Sequence, residues 1–327
     1  MARSSNQKLK ILYLMKILFN ETDENNALTV NDLIARLAKA NIDVERKTIY
    51  SDILALRDFG LDIKMERSKT YNYFMASRTF ELPELKLLVD AVQSSKFITI
   101  KKSNELIKKL QSLASRYEAV QLQRQVYVSN RVKTMNESIY YNVDVIHQAI
   151  ISGKKIGFKY FEYTVDKQKK YRKDGQFYEV SPVSLTWDDE NYYLITYSLK
   201  YQDLTHYRVD KMTDIFLSNE PRDIYNKDEF DVALYAQKVF GMFNGEEQQV
   251  KIQFDNSLVG VVVDRFGKNV NIIKSDEAHF TVSLKITISP VFVGWLFQFG
   301  AMVKVLSPDS LIEELRQQAY SIFKLYS

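Results

Sequence analysis

The hydrophobic pattern of this 327-residue chain changes period at Gly60, and that change restricts the N-terminal fold more than any other feature. Before Gly60 the spacing is helical. Leu9 to Phe19 is apolar almost all round, as a buried first helix requires. Thr29 is placed to cap a second helix in which Leu33, Ile34 and Leu37 recur at i, i+1 and i+4. A short link, Lys39 to Asp43, leads to a third, Glu45 to Arg57, with Ile49, Ile53 and Leu56 on one stripe and Gly60 as its stop. Beyond Gly60 the period is two. Leu61, Ile63 and Met65 alternate with polar residues, and after Arg67-Ser68-Lys69-Thr70 so do Tyr71, Tyr73 and Met75. The alternation predicts a β-hairpin with a basic tip.

Helical spacing returns from Glu81 to about Tyr117, with Leu82, Leu85, Leu88, Val89 and Val92 on one stripe and Leu106, Ile107, Leu110 and Leu113 on another. Two readings of these helices stand side by side: dimer contacts, or packing within the chain. A helix near Ile139–Ile151 then opens a β-rich region. Its expected strands are Ile156–Tyr163, Phe177–Val180, Val183–Trp187, Tyr192–Tyr197 and Leu204–Asp210, enough for a small barrel. The last ninety or so residues read βαββαβ with a trailing helix, Pro290 and Pro308 starting helices. The fold class predicted is α+β and multidomain: a winged helix-turn-helix at 1–78, a helical linker at 79–135, a small SH3/Sm-like barrel at 136–222 and a ferredoxin-like module at 245–327.

Composition narrows the chemistry. There is no cysteine, and only three histidines, His147, His206 and His279, lie far apart. Disulfide scaffolds, cysteine-based zinc or iron–sulfur sites and thiol nucleophiles are excluded. Ten scattered glycines form neither GxGxxG nor GxxxxGK[ST], so the common phosphate-cradling loops are absent. No metal or other cofactor is implied, and the chain reads as a recognition protein rather than an enzyme. The formal charge of +4 is carried by an excess within the first 135 residues, which points to an anionic partner there.

In the third helix, burying Ile49, Ile53 and Leu56 leaves Arg46, Lys47, Thr48, Tyr50 and Ser51 facing outward. Arg and Lys donate to guanine O6 and N7, and Thr and Ser reach bases or phosphates. Arg67 and Lys69 at the hairpin tip would lie beside phosphates and add salt-dependent affinity. The helix, the turn and the basic tip together favour double-stranded DNA over a merely solvated polar face.

Val44 to Ile53, following Leu33-Ala35-Leu37, resembles the winged helix of the bacterial WYL-domain transcriptional regulators. The barrel resembles the WYL domain: Ser181-Pro182-Val183-Ser184-Leu185 precedes the turn, Tyr192-Tyr193-Leu194 occupies the name-giving motif, and His206-Tyr207-Arg208-Val209-Asp210-Lys211 matches the strand usually written F-R-L-D-R. The final module is similar to these regulators' C-terminal extension. Tyr192 stands in place of the motif's tryptophan and Lys211 in place of the last arginine, and lysine is not a bidentate donor. The resemblance implies a sensor that binds a nucleotide or single-stranded nucleic acid. The residues agree in kind. Strand parity sets His206, Arg208 and Asp210 on one face, Thr205, Tyr207 and Val209 on the other; Tyr160, Arg172, Tyr178, Ser181 and Tyr192 are the remaining pocket candidates. Alternatives stay open: an Arg208–Asp210 ion pair, a surface His206 and, favoured for its ring, a core Tyr192.

The reading is a cytoplasmic, homodimeric repressor whose operator binding is controlled at the barrel. Two other functions compete with this one. A WYL accessory protein that senses nucleic acid away from a promoter conflicts with the recognition helix. A Mg²⁺ nuclease on Asp188, Asp189 and Glu190 conflicts with their consecutive places in a turn, which make the side chains diverge. No membrane role is expected. Lys16 interrupts the N-terminal apolar stretch, and Ile286–Val303 breaks into strand, helix and strand.

Overall fold

The computed structural model describes residues 9–67, 70–122, 133, 134, 136–225 and 231–327, with Ala233 described by its backbone alone. The chain forms two compact units, 1–137 and 138–327.

The N-terminal unit begins with α1 (Lys10–Glu21), the two-residue strand β1 (Leu28–Thr29), α2 (Val30–Lys39) and α3 (Arg46–Asp58). The expected cap on α2 is present. Thr29 Oγ1 accepts from the Asp32 amide at 3.1 Å while Asp32 accepts from the Thr29 amide at 3.0 Å. Hydrogen bonds from Thr29 hold the Asp32 carboxyl below its ordinary value. The hairpin follows as β2 (Ile63–Arg67) and β3 (Tyr71–Met75), paired Ile63 with Met75 through Arg67 with Tyr71. β1, absent from the sequence reading, adds to β3 and gives the order β1-β3-β2. The core joins Leu14, Leu18, Leu33, Leu37, Ile49 and Ile53 to Tyr73 and Met75. Met65 departs from the expected alternation: only Ile63 of β2 is buried, because the strand leaves the helices after its first residue.

Among the described residues three further helices follow in this unit: α4 (Leu82–Ser94), α5 (Ile100–Gln111) and α6 (Arg116–Gln121). Leu85 and Val89 pack with Ala114, Leu122, Ile107 and Leu110, so these stripes meet within the chain. Leu88 lies on the exposed side instead.

The second unit opens with α7 (Ile139–Ser152). Strands β4 (Lys154–Tyr163), β5 (Lys169–Tyr171), β6 (Tyr178–Asp188), β7 (Asn191–Ser198), β8 (Asp203–Arg208) and β9 (Met212–Pro221) form one antiparallel sheet. Its order is β5-β4-β6-β7-β8, with β9 also pairing β4. The expected pair 177–180 and 183–187 is one strand, β6, bulged between Pro182 and Ser184 because proline has no amide to donate. β5 and β9 went unread in the sequence. Gly157 lets β9 cross β4 closely: a Cβ there would meet the Phe216 ring at 2.2 Å.

A short helix, α8 (Val232–Lys238), precedes β10 (Glu246–Asp255), α9 (Val259–Phe266), β11 (Ile272–Lys274), β12 (His279–Ile288), α10 (Pro290–Phe297), β13 (Val303–Ser307) and α11 (Asp309–Leu325). The sheet order β11-β12-β10-β13, all antiparallel, is what a βαββαβ module requires. Ser289 caps α10 by accepting from the Phe292 amide at 3.3 Å. The core gathers Phe254, Phe280, Phe292, Val262 and Val293. No helix among the described residues is long and apolar enough to cross a membrane.

Candidate nucleic-acid interface and sensor site

The α3 stripe Ile49, Ile53 and Leu56 is buried, which turns Arg46, Lys47 and Ser51 to solvent and leaves Thr48 and Tyr50 half-buried. Arg46 Nε donates to the Tyr50 hydroxyl at 3.1 Å, and the Tyr50 ring meets Tyr73 of β3 edge-on at 6.5 Å. Those contacts tie the outward face of α3 to the hairpin. Arg67 lies 5.8 Å from the centroid of Tyr71, its partner across the hairpin, while Lys69 lies outside the described residues. Leu54, 57% exposed, stands on the same side as Lys47 and Ser51 at helical spacing. Sequence reasoning missed it, although an apolar residue off the buried stripe was the available signal; such a side chain can meet a thymine methyl.

In the second unit four rings converge on one side of β4, β6 and β8. Phe158, fully buried, stacks on Tyr178 at 5.6 Å and meets Tyr160 and Tyr207 edge-on at 6.2 and 5.2 Å. The pairing Phe158–Tyr178 follows from their opposed positions in the β4–β6 ladder. Burial pushes the Tyr160 hydroxyl up to about 12, and that oxygen accepts from the Arg208 amide at 3.2 Å. Two cations cover the cluster. Arg172 lies 5.5 Å from the Tyr160 centroid and pairs with Glu162; Lys173 Nζ lies 4.0 Å from the Tyr178 centroid. Both leave a turn in which Lys173 and Asp174 hold positive φ, 49° and 52°, a conformation costly for residues with a Cβ. The cluster thus offers fixed positive charge above aromatic faces, the chemistry that suits phosphates and stacked bases.

The other sensor candidates do not join this group. Ser181 is buried and its hydroxyl accepts from the Asp223 amide at 2.9 Å. Tyr192 meets Trp187 edge-on at 4.7 Å near the β6–β7 turn. His206 is not a surface residue: its Nε2 lies 2.8 Å from the Tyr235 hydroxyl of α8, and burial lowers its pKa below 6.5. Arg208 makes the ion pair left open above. Its Nε and Nη2 fork onto Asp210 at 3.0 and 2.9 Å, and Nη2 also reaches Asn191 at 2.8 Å. Strand parity fails at Asp210, because β8 stops at Arg208 and Val209–Lys211 is a 3₁₀ turn that swings the carboxylate back. The expected continuous polar face is therefore divided, with Tyr160, Arg172 and Tyr178 together, and His206 under α8.

Tyr207, Phe158 and Lys173 were missed. The signal for Lys173 was local: five cations in the seven residues 167–173, hidden by the balanced charge of the surrounding region. At the acidic turn, Asp189 and Glu190 both take positive φ, and burial raises the Asp188 carboxyl above its ordinary value against the opposing charge of Arg265 in α9. Among the described residues no three acidic or histidine side chains are grouped to hold a metal ion.

A bent antiparallel sheet carrying a cation-covered ring cluster, followed by a βαββαβ module, defines the class of this second unit. Comparison with protein families agrees: the WYL domain model matches residues 141–217 and the WCX domain model matches residues 246–322. The second unit therefore contains a WYL domain followed by a WCX domain. No curated protein matches it. Among solved structures, proteasome accessory factor B/C (PafBC) of Arthrobacter aurescens is similar at 14% identity and a TM-score of 0.29, over 94% of this chain and 47% of that one. The chain spans about half the length of that protein.

Proposed function

We propose that this chain is a sequence-specific, DNA-binding transcriptional repressor, working as a homodimer in the cytoplasm, whose WYL domain takes a nucleotide or single-stranded nucleic acid and thereby alters operator binding. In this reading residues 1–78 are a winged helix-turn-helix, 79–135 a helical linker, 136–222 an SH3/Sm-like sensor and 245–327 a ferredoxin-like extension. The observation that carries it is the outward face of α3, where Arg46, Lys47 and Ser51 stand opposite a fully internal stripe and beside a hairpin bearing Arg67. Arg46 and Lys47 would read base edges, Thr48, Tyr50 and Ser51 bases or phosphates, and Arg67 with Lys69 the flanking backbone.

For the effector, Arg172 and Lys173 would pair with phosphate above the Tyr160 and Tyr178 rings. Tyr192, Ser181, His206 and Arg208 would support the site from its margins, Arg208 by holding the β8 end through Asp210. Footprinting of the chain on DNA upstream of its own gene tests the reading. Protection of two half-sites about one helical turn apart is expected. Uniform, salt-sensitive coverage with no protected sequence would contradict it.

A further inference from the structure

Helices α1, α2 and α6 border a second charged cavity that the sensor reading does not use. It has a volume of about 560 Å³ and is lined by Lys16 and Glu21 of α1, Arg36 and Lys39 of α2, Arg116 of α6 and the half-open ring of Tyr13. Four cations thus surround one carboxylate. Glu21 Oε2 accepts from Arg36 Nε at 2.8 Å and pairs with Arg116 Nη1 at 3.2 Å. Arg36 Nη1 also donates to the Asp32 carbonyl at 3.3 Å, and Arg116 Nη2 to the Tyr117 hydroxyl at 2.6 Å, so both guanidinium planes are fixed. Lys16 and Lys39 have no carboxylate partner among the described residues.

Helix dipoles account for only part of this charge. Arg36 and Lys39 lie in the last turn of α2, where a cation offsets the negative helix end. Lys16 lies mid-helix, and Arg116 is the first residue of α6, at the positive end, where a cation is opposed. Among the described residues Glu21 is the one carboxylate paired with Arg116, and the charges of Lys16 and Lys39 in the cavity are left uncompensated. The volume falls within the range of small-ligand sites.

We infer that this cavity binds a small polyanion with adjacent phosphates, such as pyrophosphate or a nucleoside polyphosphate whose base rests on Tyr13. Phosphate oxygens there compete with Glu21 for Arg116, so occupancy loosens α6 from the C-terminal ends of α1 and α2. The N-terminal unit then carries an effector site of its own, distinct from the WYL cluster.

The test is isothermal titration of the full chain with pyrophosphate and with ATP, in about 0.15 M salt so that diffuse charge attraction is screened. The wild-type chain is expected to bind pyrophosphate saturably, and ATP is expected to bind saturably when the WYL cluster is disabled by Arg172→Ala. Lys16→Glu with Lys39→Glu should weaken binding by about tenfold or more, to the same extent in the otherwise wild-type chain titrated with pyrophosphate and in the Arg172→Ala background, where the WYL cluster is disabled. These lysines are exposed and their side chains anchor no hydrogen bond among the described residues, so circular dichroism should show the double variant folded. Heats that never saturate, equal affinity in the double variant, or absence of saturable binding in the Arg172→Ala background would each overturn the proposal. It would equally fall if neither probe bound and the double variant instead weakened duplex DNA binding, since the cavity would then belong to the DNA interface.

Discussion

The outward face of α3 and the ring cluster of the WYL sheet both present positive charge, and they hold it in opposite ways. On α3 the cations are lightly tied: Arg46 has one hydrogen bond to Tyr50, and Lys47 has no partner among the described residues. On the sheet the cations around the rings are already seated: Arg172 on Glu162 and Tyr160, Lys173 on Tyr178, Lys169 on Phe161, and Arg208 in a fork on Asp210. A helix surface leaves its charges solvated until a polyanion arrives and releases counterions. A sheet can fix them over rings beforehand, which lowers the ordering cost on binding. Substitutions on the first surface should therefore cost binding and spare the fold, whereas those beneath the second should cost the fold.

The largest effect should come from Phe158→Ala, which removes the ring at the centre of the cluster. It should destabilise the second unit by about 3–5 kcal/mol in chemical denaturation, while Lys47→Ala stays within about 0.5 kcal/mol. Equal, small losses at both positions would erase the contrast. Next, Arg46→Ala and Lys47→Ala should each weaken specific duplex binding by about 1–3 kcal/mol in fluorescence anisotropy, with unfolding midpoints unchanged.

Arg208→Ala should be intermediate in kind. It leaves the half-buried Asp210 and Asn191 short of a donor, and about 1–2 kcal/mol of stability should go, discounted because the guanidinium is one-third exposed. Arg172→Ala, at an exposed ion pair, should cost at most about 1 kcal/mol. The smallest effect is pH dependence at His206. Its folded pKa lies below the ordinary 6.5 because burial disfavours the charged form. The unfolded chain therefore binds the proton first as pH falls through 6.5, and stability present above that value is lost below it. His206→Gln should flatten this part of the stability profile, measured by denaturation midpoints in steps of pH.

These differences also decide what was legible in the sequence. Helices α1 to α3, the hairpin and the βαββαβ order could be read because their signals are local: Thr29 ahead of α2, the Ile49-Ile53-Leu56 stripe, Pro290 at a helix start. The recognition face is the complement of that stripe and came with it. The sensor site was legible only in part, since Tyr160, Tyr178 and Tyr207 meet through pairing between strands far apart in sequence. Parity along β8 correctly separated Tyr207 from Arg208, but it failed at Asp210, where the strand had already become a turn. The covering of His206 by Tyr235 depends on how α8 folds back, for which no local pattern exists. β9 was missed because only Met212 and Ser218 of its ten residues are buried, leaving no clean alternation.

The central claim is that duplex binding by the N-terminal unit answers to a ligand held over Tyr160 and Tyr178. Fluorescence anisotropy on the footprinted duplex, repeated with a short single-stranded oligonucleotide and with mononucleotides, measures it directly. One of these should shift duplex affinity of the wild-type chain by at least about fivefold, the lower end of ordinary allosteric coupling, and should leave Arg172→Ala/Lys173→Ala unmoved. Duplex affinity unaffected by every such ligand, or a shift of the same size in the double variant, would contradict the account.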